Sequence, residues 1–298
     1  MTQEQRHVGT PACYRHPERE TYVRCTRCDR PICPECMRDA AVGFHCPECV
    51  AEARRTARVP RTAFGGTLAG QHGNVTKALV GMNTVVLLLA AATAGANAAG
   101  SLRGGATPLH IWGAVVGLAR LGDNGALFGV ATGEYWRLLT AMFLHFGVVH
   151  LLLNMWALWI LGQYLERALG PARFLALYLI AGLGGSVAAY VFQPFALTAG
   201  ASGAIFGLFA ALFVVNRRLG RDNRAVIFLI VANLSMVLFI PNISLVGHVG
   251  GLLTGGLVAL GFAYAPRGQR TPVQVAVAAV VLVLLTVITV TRTDLLLG

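Results

Sequence analysis

The sequence predicts an all-α, polytopic membrane protein that carries a small cysteine-rich domain at its N-terminus. Of its 298 residues, 55% are hydrophobic and only 12% are charged, and the mean hydropathy is +0.62. A soluble globular chain carries about 25% charged residues, so most of this chain is suited to lipid rather than to water. All seven cysteines, by contrast, lie in a polar segment between Cys13 and Cys49.

This contrast divides the chain into three regions. Residues 1–51 form the cysteine-rich N-terminal domain, and residues 77–298 form the membrane domain. Residues 52–76 are basic, contain glycine and lack hydrophobic periodicity, so we predict a flexible linker there. The first 75 residues contain no apolar run of the kind found in a signal peptide, and we therefore expect the N-terminal domain to stay in the cytoplasm, with reduced cysteines.

Seven apolar segments follow the linker, each about as long as a helix that crosses a ~30 Å hydrocarbon core. They cover residues 77–99, 138–162, 171–193, 200–216, 225–240, 244–264 and 273–291. The fourth and fifth are short, which tilting or burial within the bundle accommodates. The sequence thus predicts seven transmembrane helices.

Basic residues indicate the orientation of these helices. The short connections on the side of the N-terminal domain contain arginine, whereas those near 194–199 and 241–243 contain no charge. Positive charge favours the cytoplasmic side, so we expect a multi-pass cell-membrane protein with its N-terminus in the cytoplasm and its C-terminus outside. Basic residues in these connections contribute to the net charge of +11, and we expect no nucleic-acid partner.

Few polar residues interrupt the predicted spans, and an ionisable residue in hydrocarbon is a functional candidate. They are His145, His150 and Asn154 in the second span, Ser202 in the fourth, Asn233 in the fifth and His248 in the sixth. We expect the Asn233 side chain only to form a hydrogen bond to a neighbouring helix. The second, fourth and sixth spans run in the same direction, which places the remaining candidates at a similar depth on the outer side, as an active site requires.

Small residues indicate that the fourth and sixth spans touch. They recur every four residues in both spans, at Gly203, Gly207 and Ala211 and at Gly247, Gly251, Gly255 and Ala259. This spacing lets helix backbones approach closely in a membrane. The contact would bring the hydroxyl of Ser202 within hydrogen-bond distance of the imidazole of His248.

A hydroxyl beside an imidazole predicts nucleophilic catalysis, with His248 as the base that activates Ser202. The predicted spans that carry the candidates contain no Asp or Glu, so the chemistry requires a dyad rather than a triad. His150 and Asn154 lie four residues apart on one helical face and can donate hydrogen bonds to an oxyanion.

Four motifs resemble those of the rhomboid intramembrane serine proteases. They are Gly200-Ala201-Ser202-Gly203, Gly247-His248-Val249-Gly250-Gly251, the run from His145 through His150 to Asn154, and Glu134-Tyr135-Trp136-Arg137. The resemblance covers about 77–291, with the motifs in the family's order. It implies a six-helix bundle followed by a seventh, C-terminal transmembrane helix.

The resemblance also implies a function. The expected reaction is cleavage of transmembrane protein substrates near the outer membrane face, with Ser202 as nucleophile, His248 as base, and His150 and Asn154 in the oxyanion site. Phe206 stands where some bacterial relatives have a tyrosine that stacks on the catalytic histidine. His145 is either structural or water-binding, and the long first loop, about 100–137, is either a connector or the half-embedded lobe that the family favours.

Three other functions fit less well. A catalytically inactive rhomboid relative that binds membrane clients characteristically lacks the serine or histidine, and both are present here. A transporter or channel would place paired charges or broken helices at the midplane. A zinc-dependent membrane protease would carry a His-Glu-x-x-His run, which is missing.

Four two-ligand motifs in the N-terminal domain predict metal binding. They are Cys13-x2-His16, Cys25-x2-Cys28, Cys33-x2-Cys36 and Cys46-x2-Cys49. Eight nitrogen and sulfur ligands supply two tetrahedral Zn²⁺ sites, and closed four-ligand sites are structural, so no cofactor is needed for catalysis. A disulfide framework does not fit, because seven cysteines are an odd number and the domain is expected in the cytoplasm.

The spacing resembles a B-box-type zinc finger. That resemblance implies cross-braced sites, one formed by Cys13, His16, Cys33 and Cys36 and the other by Cys25, Cys28, Cys46 and Cys49. His45 is an alternative to Cys46 as the third ligand of the second site. A fold of about 50 residues has too small a core without metal. Its expected role is to bind a cytosolic protein partner or to regulate the protease.

Overall fold

The computed structural model describes residues 10–56, 60–120, 122, 125–236 and 243–298, except for the side chain of Gln71. The chain divides into two compact units, Met1–Pro60 and Arg61–Gly298. Several predictions concern positions outside the described residues: the start of the N-terminal domain at 1–9, the middle of the linker at 57–59, the end of the fifth span at 237–240, and most of the connection that follows it.

The N-terminal unit contains little regular structure. A 3₁₀ turn at Pro34–Cys36 precedes the antiparallel strands β1 (Arg38–Asp39) and β2 (Phe44–His45), and helix α1 covers Pro47–Thr56. The core of this unit consists of Ile32 and six buried cysteines: Cys13, Cys25, Cys33, Cys36, Cys46 and Cys49. Such a core offers little apolar area to stabilise the fold.

The membrane unit is helical. Its main helices are α2 (Asn74–Thr93), α6 (Val148–Leu169), α7 (Pro171–Phe192), α8 (Ser202–Arg218), α9 (Arg224–Met236), α10 (Leu245–Tyr264) and α11 (Arg270–Leu297). Short elements fill the connection between α2 and α6: α3 (Ala98–Leu102), α4 (Pro108–Gly113), the antiparallel strands β3 (Ala119–Arg120) and β4 (Leu127–Phe128), and α5 (Arg137–Thr140). Turns of 3₁₀ helix lie at Leu68–His72, Gly95–Asn97, Val130–Thr132, Ala141–Phe143 and Arg267–Gln269.

Among the described residues, five helical segments are long and apolar enough to cross a membrane: Asn74–Thr93, Val148–Leu169, Pro171–Phe192, Leu245–Tyr264 and Arg267–Leu297. Helices α8 and α9 occupy the two segments expected to be short, with 17 and 13 residues. The prediction of an all-α, multi-pass membrane protein is confirmed.

The second predicted span, 138–162, has the wrong bounds. Its helix begins at Val148 and ends at Leu169. Residues 138–147 are equally apolar, but they form α5, a 3₁₀ turn and an extended segment that ends at Gly147. Gly147 has φ of 87°, and a methyl group there would lie 2.8 Å from the Gly104 nitrogen, so the backbone leaves the helical conformation at this glycine. A hydropathy profile does not distinguish this apolar, non-helical segment from the helix that follows it.

Helices α7, α8 and α10 pack against one another, and glycines set their separation. A methyl group built on Gly251 would lie 2.0 Å from the Gly203 carbonyl oxygen, and one on Gly255 would lie 2.3 Å from the Gly207 Cα. The predicted contact between the fourth and sixth spans is confirmed. Helix α7 adds Gly185, whose methyl group would lie 2.7 Å from the Gly247 carbonyl oxygen.

The predicted linker is not a uniform connection in the structure. Residues 52–56 continue α1, and the part that begins at Arg61 packs on the membrane unit. A methyl group built on Gly66 would lie 2.0 Å from the Leu169 carbonyl oxygen. The buried carboxylate of Glu166 accepts hydrogen bonds from the backbone amides of Val75 (3.0 Å) and Thr76 (2.9 Å), which fixes the start of α2 against the end of α6.

Candidate active site

The structure brings Ser202 and His248 together. Their Oγ and Nε2 atoms lie 2.7 Å apart, at hydrogen-bond distance. Ser202 is the first residue of α8, and His248 lies in the first turn of α10 with 7% of its surface exposed. Phe206, one turn after Ser202, stacks on the imidazole with a centroid distance of 4.4 Å and an interplanar angle of 20°.

The other imidazole nitrogen, Nδ1 of His248, is buried and has no hydrogen-bond partner in the part of the chain that the structure describes. A triad would place a carboxylate there. Among the described residues, the His248 ring therefore stacks on Phe206 and has no hydrogen bond to an acid.

Local backbone features position the two residues. Gly200 has φ of 140° and donates its N–H to the Ala141 carbonyl at 2.9 Å, so the chain turns sharply into α8. Ser244 caps α10 by accepting the Gly247 N–H at 3.1 Å, and its hydroxyl donates to Gln193 Oε1 at 2.6 Å. The end of α7 is thereby tied to the start of α10, one turn from His248.

His150 lies beside the serine. A methyl group built on Gly200 would lie 2.9 Å from His150 Cε1 and 3.6 Å from Ser202 Oγ. Asn154 is one turn further along α6 and is 7% exposed, but its Nδ2 donates to the His150 carbonyl at 3.0 Å. The structure thus places His150 and Ser202 on either side of Gly200, whereas the Asn154 amide donates within its own helix.

His145 is fully buried in the segment before α6. Its Nδ1 lies 3.4 Å from the Phe143 carbonyl oxygen, and its ring meets that of His150 edge-on at 5.1 Å. Its Nε2 has no partner among the described side chains and backbone groups. The structural and the water-binding interpretations both fit this position.

His110 is a site-adjacent residue that the sequence reasoning missed. It is 1% exposed, stacks on Phe146, and its Nε2 lies 3.1 Å from the His145 carbonyl oxygen. Thr107 and His110 form a capping box at the start of α4, and Pro108 occupies the first helical position. The Thr-Pro-x-x pattern was the available signal for this helix start. His110 fixes the segment that leads into His150.

A buried ion pair holds the connection between α2 and α6. Arg137 Nε donates to Glu134 Oε2 at 2.6 Å, and Arg137 is 2% exposed. Its Nη1 also donates to the carbonyls of Ile111 (2.7 Å) and Ala114 (3.1 Å). Since one guanidinium binds groups from two separate loop segments, this connection is a folded part of the membrane unit.

The N-terminal unit contains two clusters that could hold metal ions. Cys13, His16, Cys33 and Cys36 form one, and Cys25, Cys28, Cys46 and Cys49 form the other, with the ligand atoms of each cluster within 4.8 Å of one another. The grouping is the cross-braced one that the B-box resemblance implies, and it contains Cys46 rather than His45. Four sulfur or imidazole donors at such distances fit a tetrahedral ion.

The thiols of the second cluster differ in acidity. Burial raises the pKa of Cys25, but backbone hydrogen bonds from Cys46, Arg27 and Cys28 outweigh it and lower the pKa to about 6. Burial and neighbouring thiols raise the pKa of Cys49 to about 12. A bound cation would stabilise the thiolate form of every cysteine in the cluster, including those whose pKa is raised in its absence.

Comparison with known proteins places the candidate dyad inside a recognised region. The rhomboid domain model matches residues 132–265, which include all four candidate catalytic residues. "Rhomboid protease GluP" of Bacillus subtilis is 46% identical over 135 residues, 44% of this chain and 26% of that protein. "Putative rhomboid protease YdcA" of the same organism is 41% identical over 142 residues, 46% of this chain and 71% of that protein.

A plant protein is also similar to this chain. "RHOMBOID-like protein 2" of Arabidopsis thaliana is 39% identical over 141 residues, 45% of this chain and 44% of that protein. The chain therefore covers about a quarter of the first relative, under half of the plant relative, and more than two thirds of the second. The rhomboid domain model does not extend to the cysteine-rich unit.

Proposed function

The chain belongs to the rhomboid family, and on that premise we propose that it is an intramembrane serine protease that cleaves transmembrane segments of protein substrates. The observation that carries the proposal is the 2.7 Å separation of Ser202 Oγ and His248 Nε2 in a mostly buried site. An unactivated hydroxyl is a weak nucleophile, and a neutral imidazole at this distance is the base that it needs.

In the proposed reaction, Ser202 Oγ attacks the carbonyl carbon of the scissile peptide while its proton passes to His248 Nε2. Collapse of the tetrahedral intermediate breaks the C–N bond, and the imidazolium returns the proton to the leaving amine. Water then attacks the acyl-enzyme with His248 again as base, which releases the carboxyl product and restores the serine.

The oxyanion requires donors that face the developing charge. We assign this role to His150, which lies beside Ser202, and to backbone N–H groups in the first turn of α8. Asn154 joins them once its amide turns away from the His150 carbonyl, to which it donates at 3.0 Å. The loss of that single hydrogen bond within α6 is a modest cost compared with a bond to an oxyanion.

The proposed orientation places the site near the outer face, with a cytoplasmic N-terminal domain and an outer C-terminus. The ends of α6, α8 and α10 that lie away from Ser202, together with the residues that follow them, contain Arg167, Arg217, Arg218, Arg221, Arg224 and Arg267. This concentration of positive charge is expected on the cytoplasmic side.

We further propose that the two clusters of the N-terminal domain each hold one structural Zn²⁺. The donor set of soft thiolates with one imidazole, grouped for tetrahedral coordination, suits this ion. All four positions of each site are filled by protein ligands, so the ions have no place in the peptide-bond chemistry. The domain then either binds a cytosolic protein or regulates the protease.

The test is cleavage of a reporter that contains a helix-destabilised transmembrane segment by the full chain in detergent or liposomes. Ser202→Ala and His248→Ala should each abolish cleavage without loss of the folded protein. Thr286→Val is a matched control, because it removes a hydroxyl from an exposed position on α11 that bonds only to the Leu282 carbonyl. Cleavage by Ser202→Ala at the normal rate refutes the mechanism. Binding of the reporter without cleavage by the unmodified chain would instead favour an inactive, client-binding relative.

A further inference from the structure

Three arginines converge on one glycine in the membrane unit. Arg61 Nη1 donates to the Gly65 carbonyl at 3.2 Å. A methyl group built on Gly65 would lie 3.2 Å from Arg270 Cδ and 3.6 Å from Arg173 Nη2. We call Arg61, Arg173 and Arg270 the arginine cluster. Arg173 is in the first turn of α7, whose other end leads to Ser202, so the cluster lies at the opposite end of the bundle from the candidate active site.

A buried glutamine positions the cluster. Gln274 in α11 is 3% exposed, and its Nε2 donates to the carbonyls of Phe64 (3.1 Å) and Phe262 (2.9 Å). Its Oε1 accepts from Arg173 Nε at 2.6 Å, and Thr271 Oγ1 accepts from Arg173 Nη2 at 3.3 Å. A buried amide on an apolar helix is costly unless its hydrogen bonds are satisfied. Here the two bonds from Nε2 hold the amide in place, and its Oε1 orients the Arg173 guanidinium.

The positive charge of the cluster is not neutralised by the protein. None of the three guanidiniums forms an ion pair with a described residue, and the partners of Arg173 are uncharged. Glu166 at the same end of the bundle has both carboxylate oxygens occupied by the start of α2. Three like charges around one glycine repel each other, so an anion among them is stabilising.

Two helix starts add to the positive potential. Arg270 is the first residue of α11 and Arg173 is the third of α7, and neither helix has an acidic residue in its first turn or a side-chain cap. Unsatisfied N–H groups and the helix dipole favour a negative group at such a position. Both helices are candidate membrane spans, so their first turns lie at the depth of lipid headgroups.

We propose that the arginine cluster binds the phosphate group of an anionic phospholipid. A phosphate matches guanidinium geometry, accepting paired N–H bonds from more than one arginine. The position at the ends of two spans favours a lipid over a soluble phosphate, because the headgroup is held at that depth by its acyl chains. The proposal depends on the membrane unit alone and is independent of catalysis.

The test is native mass spectrometry of the full chain, delipidated in detergent and titrated with phosphatidylglycerol or with phosphatidylcholine of the same acyl chains. Each arginine near the membrane surface contributes about a fivefold change in affinity. The double variant Arg173→Gln/Arg270→Gln should therefore bind phosphatidylglycerol about 25-fold more weakly, with little change for phosphatidylcholine. The matched control is Arg167→Gln, which removes an arginine from the same end of the bundle on α6.

Two controls distinguish loss of the lipid site from unfolding and from binding of free phosphate. Thermal unfolding checks that the double variant is folded, and Arg173→Lys/Arg270→Lys keeps the charge in case it is not; this lysine variant should retain most of the phosphatidylglycerol affinity. Inorganic phosphate at matched concentration should not compete. Equal phosphatidylglycerol binding by the double variant and the control overturns the site. Full competition by inorganic phosphate overturns the lipid as its ligand.

Discussion

The two units of this chain hold their polar and cysteine side chains in place in different ways. In the membrane unit, backbones touch at glycine: there is no space for a methyl group on Gly251 against Gly203 or on Gly255 against Gly207. In the N-terminal unit, the buried core is almost entirely cysteine. The membrane unit holds its helices by the absence of side chains at these glycines, and the N-terminal unit offers two clusters of side chains that could hold metal ions.

The difference follows from the solvent. Lipid gives helices no hydrophobic reason to associate, so close backbone contact supplies the dispersion energy that holds them together. Water would supply a hydrophobic driving force, but about 50 residues cannot bury enough apolar area to use it. A perturbation that disables one unit should therefore leave the other intact.

Metal removal should have the largest effect. Structural zinc contributes about 10–16 kcal/mol to the folding of small domains, so a strong chelator should unfold residues 10–56. Hydrogen exchange should show loss of protection there, with unchanged protection in α7, α8 and α10 and largely unchanged reporter cleavage. Metal analysis of the untreated protein should give two zinc ions per chain, from the two clusters. Retained protection in a chain proven to be metal-free would contradict the proposed dependence on metal.

Loss of Arg137 should be the next largest effect, because Glu134 loses its cation and two loop carbonyls lose their donor. Removing one member of a buried ion pair costs about 3–5 kcal/mol, and we expect the lower end because Glu134 is partly exposed. Arg137→Ala should become sensitive to proteolysis between α2 and α6, whereas the exposed Arg103→Ala should not. If α7, α8 and α10 keep their hydrogen-exchange protection in Arg137→Ala, then the glycine contacts hold the bundle together without help from the connection between α2 and α6.

Asn154→Ala should lower activity with little change in stability. Removal of one oxyanion donor typically costs 10²–10³ in rate, about 2.7–4 kcal/mol. The amide bonds only within its own helix in the structure, to the His150 carbonyl, so the folded state loses little. The measurement is kcat and KM of reporter cleavage, where kcat should fall and KM should stay. A variant with unchanged kcat would remove Asn154 from the proposed oxyanion site and leave His150 with the backbone donors.

The features of the fold and of the candidate site that could be predicted are those that depend on residues close together in the sequence. Hydropathy and the four-residue repeats are local, and they predicted the helices and the contact that joins Ser202 to His248. The start of α6 at Val148 was missed because it is decided by the conformation of Gly147 against the distant Gly104.

Other missed features have the same origin. His110 reaches the His145 carbonyl across 35 positions, and Gln274 reaches Phe64 across 210. Hydropathy and short motifs do not encode such partners. The cysteine ligands were easier to recognise, because metal chemistry fixes both the residue type and the spacing within each pair.

The smallest change that should disturb the membrane unit is a single methyl group at a close contact between α8 and α10. In Gly251→Ala the new Cβ would lie 2.0 Å from the Gly203 carbonyl oxygen, so α10 must move away from α8. Overpacking of this kind costs about 1–3 kcal/mol. Since His248 lies three residues before Gly251, the same movement lengthens its 2.7 Å contact with Ser202, and activity should fall further than stability.

Gly256→Ala is the matched control for this change. It adds the same methyl group to the same helix, but there the new Cβ would meet only the Ala210 Cβ, at an ordinary 3.6 Å. Thermal unfolding and reporter cleavage should separate the two variants, with both quantities lowered for Gly251→Ala and neither for Gly256→Ala. Equal behaviour would mean that α8 and α10 tolerate separation, so that some contact other than the glycine pair holds serine and histidine together.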